Sequence, residues 1–198
     1  MSLQKHAIFG DPTEILLAIS GKHHLPELLP LAVRLLAPDG QVALARIWLV
    51  RPPEDGDCPR CPMANECHHR ERCLHLVASY GHARGGEDRH WERTTGDFRR
   101  MPMAVRKIGH IAASGETVLI DDVSANSPWI ARPDWVHDEA IRSFFGLPLL
   151  YRNETLGVLA LFTRESMDAS CRDWLRMIAD HLAAAIANAR ARRPNDRR

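Results

Sequence analysis

The sequence has no run of the 18 or so apolar residues that a bilayer-spanning helix needs, and its first residues contain no apolar core of a secretory signal. These two absences predict a cytoplasmic protein with no membrane partner. Net charge is also lacking. At +1 the chain has no overall field to draw it to DNA or anionic lipid, so no direct nucleic-acid contact is expected. One local concentration of charge exists, where Arg190, Arg192, Arg193, Arg197 and Arg198 crowd together, and it reads as a solvated helix end. There is no internal repeat. Nor is there a G-x-S-x-G elbow, a phosphate-binding Gly-rich loop or an H-E-x-x-H pair, so none of those hydrolytic or nucleotide chemistries is indicated.

The content of hydrophobic residues, 45%, and of charged residues, 26%, is that of an ordinary globular domain. Ile15, Leu16 and Ile19, then Leu25, Leu28, Leu29, Ala32, Leu35 and Leu36, recur at helical spacing. Gly21, Pro26 and Pro30 predict a kinked or two-part helix, ended by Asp39-Gly40. Strands are expected over 42–50 and 74–80, with a polar, Cys-rich stretch over 51–72 between them. Residues 82–100 read as irregular, 109–114 as a short helix, 117–120 as a strand and 124–138 as turns. Strands over 143–150 and 155–163 share a tight link at Tyr151-Arg152-Asn153-Glu154, hence an antiparallel hairpin. A long helix follows over 168–193, with Trp174, Ile178, Leu182, Ala185, Ile186 and Ala189 along one stripe. This order describes an α+β domain over 13–193, an N-terminal extension over 1–12 and a tail or linker from 194.

The cysteines carry the most chemistry. Cys58, Cys61, Cys67 and Cys73 stand as C-x2-C-x5-C-x5-C within a loop over 51–73. A C-x2-C pair lets two thiolates reach one metal from a single turn, and two more soft ligands at short range suit tetrahedral zinc or a [4Fe–4S] cluster. Spacing does not separate these two. In a reducing compartment a disulfide is the weaker reading. His68 and His69 could replace a cysteine in a zinc site, or simply face solvent. Cys171 stands apart and is given no role.

Two segments resemble the GAF family. Ile141-Arg142-Ser143-Phe144-Phe145-Gly146-Leu147-Pro148-Leu149-Leu150-Tyr151 with Leu156-Gly157-Val158-Leu159-Ala160-Leu161-Phe162 is similar to that family's closing hairpin. Ile108-Gly109-His110-Ile111-Ala112 with Gly115 to Val123 is similar to its central segment. The resemblance spans roughly residues 13–190. It implies a six-stranded antiparallel sheet with helices on one face and a ligand pocket on the other, dimerisation through long terminal helices, and an output module such as a kinase, cyclase or transcription activator in the full-length protein. The Asn-Lys-Phe-Asp-Glu string of the cyclic-nucleotide branch is absent.

By position, Trp91, His110, Trp129, Trp135, Arg142 and Phe144 would surround such a pocket, the aromatics also being ordinary core residues. The function expected is a sensory or regulatory domain of bacterial signal transduction or transcription control. It would bind a small ligand, or sense redox state or a gas through the cysteine site. Two alternatives stand beside it. One is a GAF-fold thiol enzyme acting on free methionine sulfoxide, with Cys58 and Cys61 as a redox pair; the other is a dimerisation scaffold held by structural zinc. A metal change in the loop would pass through the strand that begins at Cys73-Leu74 to the long C-terminal helix.

Overall fold

The structure is a computed structural model that describes residues 9, 11–22, 24–54, 56–68, 70–85, 91–123 and 130–191. The N-terminal helical stretch is two helices, α1 (Pro12–Ser20) and α2 (Leu25–Leu35). The Asp11 carboxylate caps α1 by accepting from the Thr13 amide at 2.8 Å, and Pro12 sits in the first turn, where no N–H is needed. Pro26 does the same for α2, while Pro30 lies inside that helix. Six strands follow: β1 (Val42–Arg51), β2 (Cys73–Gly81), β3 (Arg100–Pro102), β4 (Val118–Ile120), β5 (Ser143–Tyr151) and β6 (Glu154–Thr163). Helices α3 (Arg106–Ser114) and α4 (Pro133–Asp138) flank β4, and α5 (Ala169–Ala191) closes the described chain.

The strands form one sheet in the order β3-β2-β1-β6-β5-β4, every pair antiparallel. Side chains alternate across it, as the period of two requires. Ile47, Leu49, Phe145, Leu147, Leu159 and Leu161 face a layer of α1, α2 and α5. Their neighbours Trp48, Val50, Phe144, Val158 and Ala160 face the other side with α3 and α4. The helical layer is thus the large one, and the opposite face carries two short helices in addition to a cavity. The β5–β6 turn is two residues long, and Arg152 and Asn153 both have positive φ (48° and 64°), as a hairpin turn matched to strand twist demands.

Three details depart from the sequence reading. β3 pairs on the outer edge of β2, Cys73 opposite Pro102, in a region read up to residue 100 as irregular. α4 occupies part of the stretch read as turns. The element over β2 is α2, whereas α5 lies over β5 and β6. The expected direct packing of β2 on the long C-terminal helix is therefore replaced by packing on α2, because the two helices divide the sheet, α2 covering the β2 side and α5 the apolar face of β5 and β6. The α5 stripe is itself buried within the chain, with Ile178, Leu182 and Ile186 at 0% exposure.

Candidate functional site

A cavity of about 260 Å³ lies on the α3/α4 face of the sheet. Its floor is the alternating set Leu44, Arg46 and Trp48 of β1, and its walls include Trp91, Trp135, Phe144 and Phe162. The Trp48 indole donates to the Phe98 carbonyl at 2.9 Å and ties the connection between β2 and β3 to the sheet. Trp135 meets Phe162 edge-on with centroids 5.3 Å apart and packs at 5.8 Å from Trp91; Phe144 lies 5.0 Å from Phe162. These edge and tilted contacts are the arrangements aromatic quadrupoles favour. Arg46 stands within this apolar surround. Its Nε donates to Ser79 Oγ at 3.1 Å, and the Ser79 hydroxyl donates onward to the Trp91 carbonyl. Burial lowers the Arg46 pKa to about 10, so the guanidinium stays cationic at neutral pH.

The cavity wall is steadied from α4. Glu139, just past that helix, is 2% exposed and pairs with Arg164 at 2.8 Å. It also accepts from the Arg84 amide at 2.7 Å, while Arg164 reaches the carbonyls of Glu139, His82 and Gly40. This buried knot binds the ends of β1, β2 and β6 to the helix that carries Trp135.

Of the residues placed around a pocket by position, Trp91, Trp135 and Phe144 line the cavity. His110 is exposed on α3 and outside the wall. Arg142 is exposed just before β5, in a separate depression shared with His137 and Ile130. Trp129 lies outside the described residues. The sequence reading missed Arg46, Trp48, Phe98 and Phe162. The signal for the first two was available: period-two counting along Val42 to Val50 puts Leu44, Arg46 and Trp48 on one face, and an arginine there is out of character with its neighbours.

The four clustered cysteines border one small void of about 20 Å³, on the far side of β3 from the cavity. Cys58 opens a 3-10 turn that Cys61 closes (Cys61 N to Cys58 O, 3.2 Å), and a second such turn delivers Cys67 (Cys67 N to Ala64 O, 3.3 Å). Cys73 is the first residue of β2. None of the five cysteines is in a disulfide. Burial, then the nearby Cys61, push the Cys73 thiol up to about 11, and its Sγ lies 3.2 Å from His75 Nε2. Among the described residues no group of three or more His, Cys, Asp or Glu side chains stands in metal-holding geometry. His68 is exposed, and His69 lies outside the described residues.

The loop is anchored on all sides. Met63 is 3% exposed in the core, Arg106 pairs with Glu66 at 2.6 Å, Arg99 reaches the Arg60 carbonyl at 2.5 Å, and Arg100 pairs with Asp57. A stretch that looked too polar to contribute to the core does so through that one methionine. Cys171 is buried in α5, its thiol pushed up to about 12 by burial and by Asp168.

A curled antiparallel sheet with a three-helix layer on one side and an aromatic cavity on the other defines a pocket-bearing α+β domain. The GAF-domain family model matches residues 24–186, and the chain belongs to that family. Solved structures agree on the fold. The GAF domain of an Acinetobacter phosphoenolpyruvate-protein phosphotransferase is similar at 19% identity, covering 93% of this chain and 95% of that one (TM-score 0.63). A free methionine-R-sulfoxide reductase from Neisseria meningitidis, in complex with its substrate, is similar at 18% identity over 91% and 88% (TM-score 0.62). Residues 122 to 287 of a methyl-accepting chemotaxis protein are similar at 19% identity over 91% and 99% (TM-score 0.59). No curated protein matches the sequence. Among the described residues no helix is long and apolar enough to cross a membrane.

Proposed function

We propose that the chain is a sensory domain whose input is a small molecule held in the aromatic cavity and whose output leaves through α5. The carrying observation is the cavity itself, about 260 Å³ on the sheet face opposite the helical layer. Neighbouring residues connect the two faces. Phe144 and Phe162 line the cavity, while Phe145 and Leu161, next to them in β5 and β6, pack under the helical layer. A ligand that repositions the first pair moves the strands on which α5 rests. In the full-length protein α5 would hand this to an output module, as in signalling proteins that contain such domains. A homodimer through α1 and the end of α5 belongs to the same reading, and Leu17, 69% exposed on α1, is the large apolar side chain on that layer open to it.

The second part of the proposal is a metal at Cys58, Cys61, Cys67 and Cys73, as zinc or a [4Fe–4S] cluster. Support comes from the placement of all four around one void. Metal binding would deprotonate the thiols and draw the sulfurs to about 2.3 Å from zinc. The alternative of a thiol reductase asks for a cysteine at the substrate. Among the described residues no cysteine lines the aromatic cavity, which favours binding over turnover.

Thermal-shift measurements with a panel of small organic ligands test the first part. Ligands are expected to raise the melting temperature of the native chain and to lose that effect in Trp135→Ala. A native chain that no ligand shifts, or one that consumes free methionine sulfoxide with a dithiol reductant, would overturn it. Metal analysis with a visible spectrum of anaerobically purified protein tests the second. Iron, sulfide and a brown colour mean a cluster, stoichiometric zinc without colour means zinc, and metal-free protein that takes up neither ends the metal proposal.

A further inference from the structure

The aromatic cavity has a charge that the described residues do not balance. Arg46 sits in its floor at the middle of β1, and its one hydrogen bond among the described residues is from Nε to Ser79 Oγ. Other arginines of low exposure in this protein have a counter-charge or a set of carbonyls. Arg164 pairs with Glu139, Arg100 with Asp57, and Arg190 donates to the carbonyls of Val50 and Leu156. Among the described residues Arg46 has neither, and those lining the cavity include no aspartate or glutamate. A desolvated guanidinium without an anion is costly, and its planar fork of donors matches a carboxylate.

The surroundings point the same way. The indole N–H groups of Trp91 and Trp135 are buried with no acceptor among the described residues, so this wall has donors to spare. Arg106, Lys107 and Arg132 stand around the same cavity, with Glu66 facing the first at 2.6 Å and Asp97 the third at 3.9 Å. The rest of the lining is apolar. At about 260 Å³ the space falls just short of the ~300–1,000 Å³ typical of drug-sized ligands, which suits one ring or a short branched chain.

We propose that the cavity takes a small organic monoacid, its carboxylate on the Arg46 guanidinium and its apolar or aromatic body against Trp91, Trp135 and Phe144. This rests on the reading of the cavity as the sensory pocket and adds the chemical class of what enters it.

The test is a binding titration of the full 198-residue chain at pH 7 and fixed ionic strength, by tryptophan fluorescence and calorimetry. The probes are phenylacetate, indole-3-acetate and hexanoate, each beside its neutral amide. The acids are expected to bind at least ten-fold more tightly than the amides. Arg46→Gln should remove that preference, weakening the acids far more than the amides, and Arg46→Lys, which keeps the charge without the fork, should retain part of it. If Arg46→Gln does not fold, the acid-to-amide ratio of the native chain and of Arg46→Lys decides the matter. Amides that bind the native chain as tightly as the acids would overturn the anion proposal and leave the pocket reading standing. Folded native chain that binds neither acids nor amides would overturn both. An acid preference that survives in Arg46→Gln would remove Arg46 from the site.

Discussion

The aromatic cavity and the cysteine void lie on opposite sides of the same three-residue strand, yet they are built in different ways. The cavity is made by regular structure. Its floor comes from β1 and most of its wall from β3, β4, β5, β6, α3 and α4, where periodic burial fixes the side chains. The cysteine void is made by a connection. Its residues come from two 3-10 turns held down by one buried methionine and a few charged contacts. It is a small void bordered by all four cysteines, and under the metal proposal the ion would supply part of the free energy that orders it.

The contrast can be broken or sharpened by substitution. The largest effect is expected on the cavity side, at the buried knot. Glu139→Ala removes the one carboxylate that faces Arg164 among the described residues and leaves the guanidinium to backbone carbonyls, and should cost about 3 kcal/mol of global stability in urea denaturation. Next comes the single apolar anchor of the loop. Met63→Ala should cost about 2–3 kcal/mol, and hydrogen exchange should show the loss concentrated in residues 58–68 rather than spread over the sheet. A uniform loss would mean that the loop is as much a part of the core as β1 is. Cys61→Ser should abolish metal uptake while the metal-free protein keeps its melting temperature to within a degree or two; a metal stoichiometry unchanged by this substitution would remove Cys61 from the ligand set. The smallest change is expected for Glu66→Gln, whose pair with Arg106 is about two-fifths exposed. It should cost under about 1 kcal/mol and become undetectable in high salt.

Much of the fold was legible because burial writes itself into periodicity. The β5–β6 hairpin, the long α5 stripe and β1 are all long, regular segments with one or two covered faces. What escaped was short or depended on partners distant in sequence. β3 is three residues, Arg-Met-Pro, with no alternation to count, and it exists because the edge of β2 offers unpaired backbone groups. α4 is six residues, held by the contact of Glu139 with Arg164 across the sheet.

The site divides in the same manner. Cysteine spacing declares itself locally, so the four thiols could be grouped without a structure. Pocket residues are gathered from seven elements and the connections between them, so His110 and Arg142 were chosen by chain position and fall outside, while Trp91, Trp135 and Phe144 fall inside. Arg46 was passed over because a charge in a strand looks like a solvated outward position until the strand is known to be covered on both faces.

Strand β3 has one further consequence. Arg100 and Pro102 border the cysteine void, and Met101 between them borders the aromatic cavity. Behind it, α3 approaches so closely that a β-carbon on Gly109 would fall 2.3 Å from the Pro102 carbonyl oxygen. A displacement of this three-residue partition would reach both sites. With both sites occupied, thermodynamic reciprocity then applies across it. Whatever factor a metal in the void contributes to the hold on a small molecule, the small molecule returns to the metal. The domain would report the product of two inputs rather than either alone.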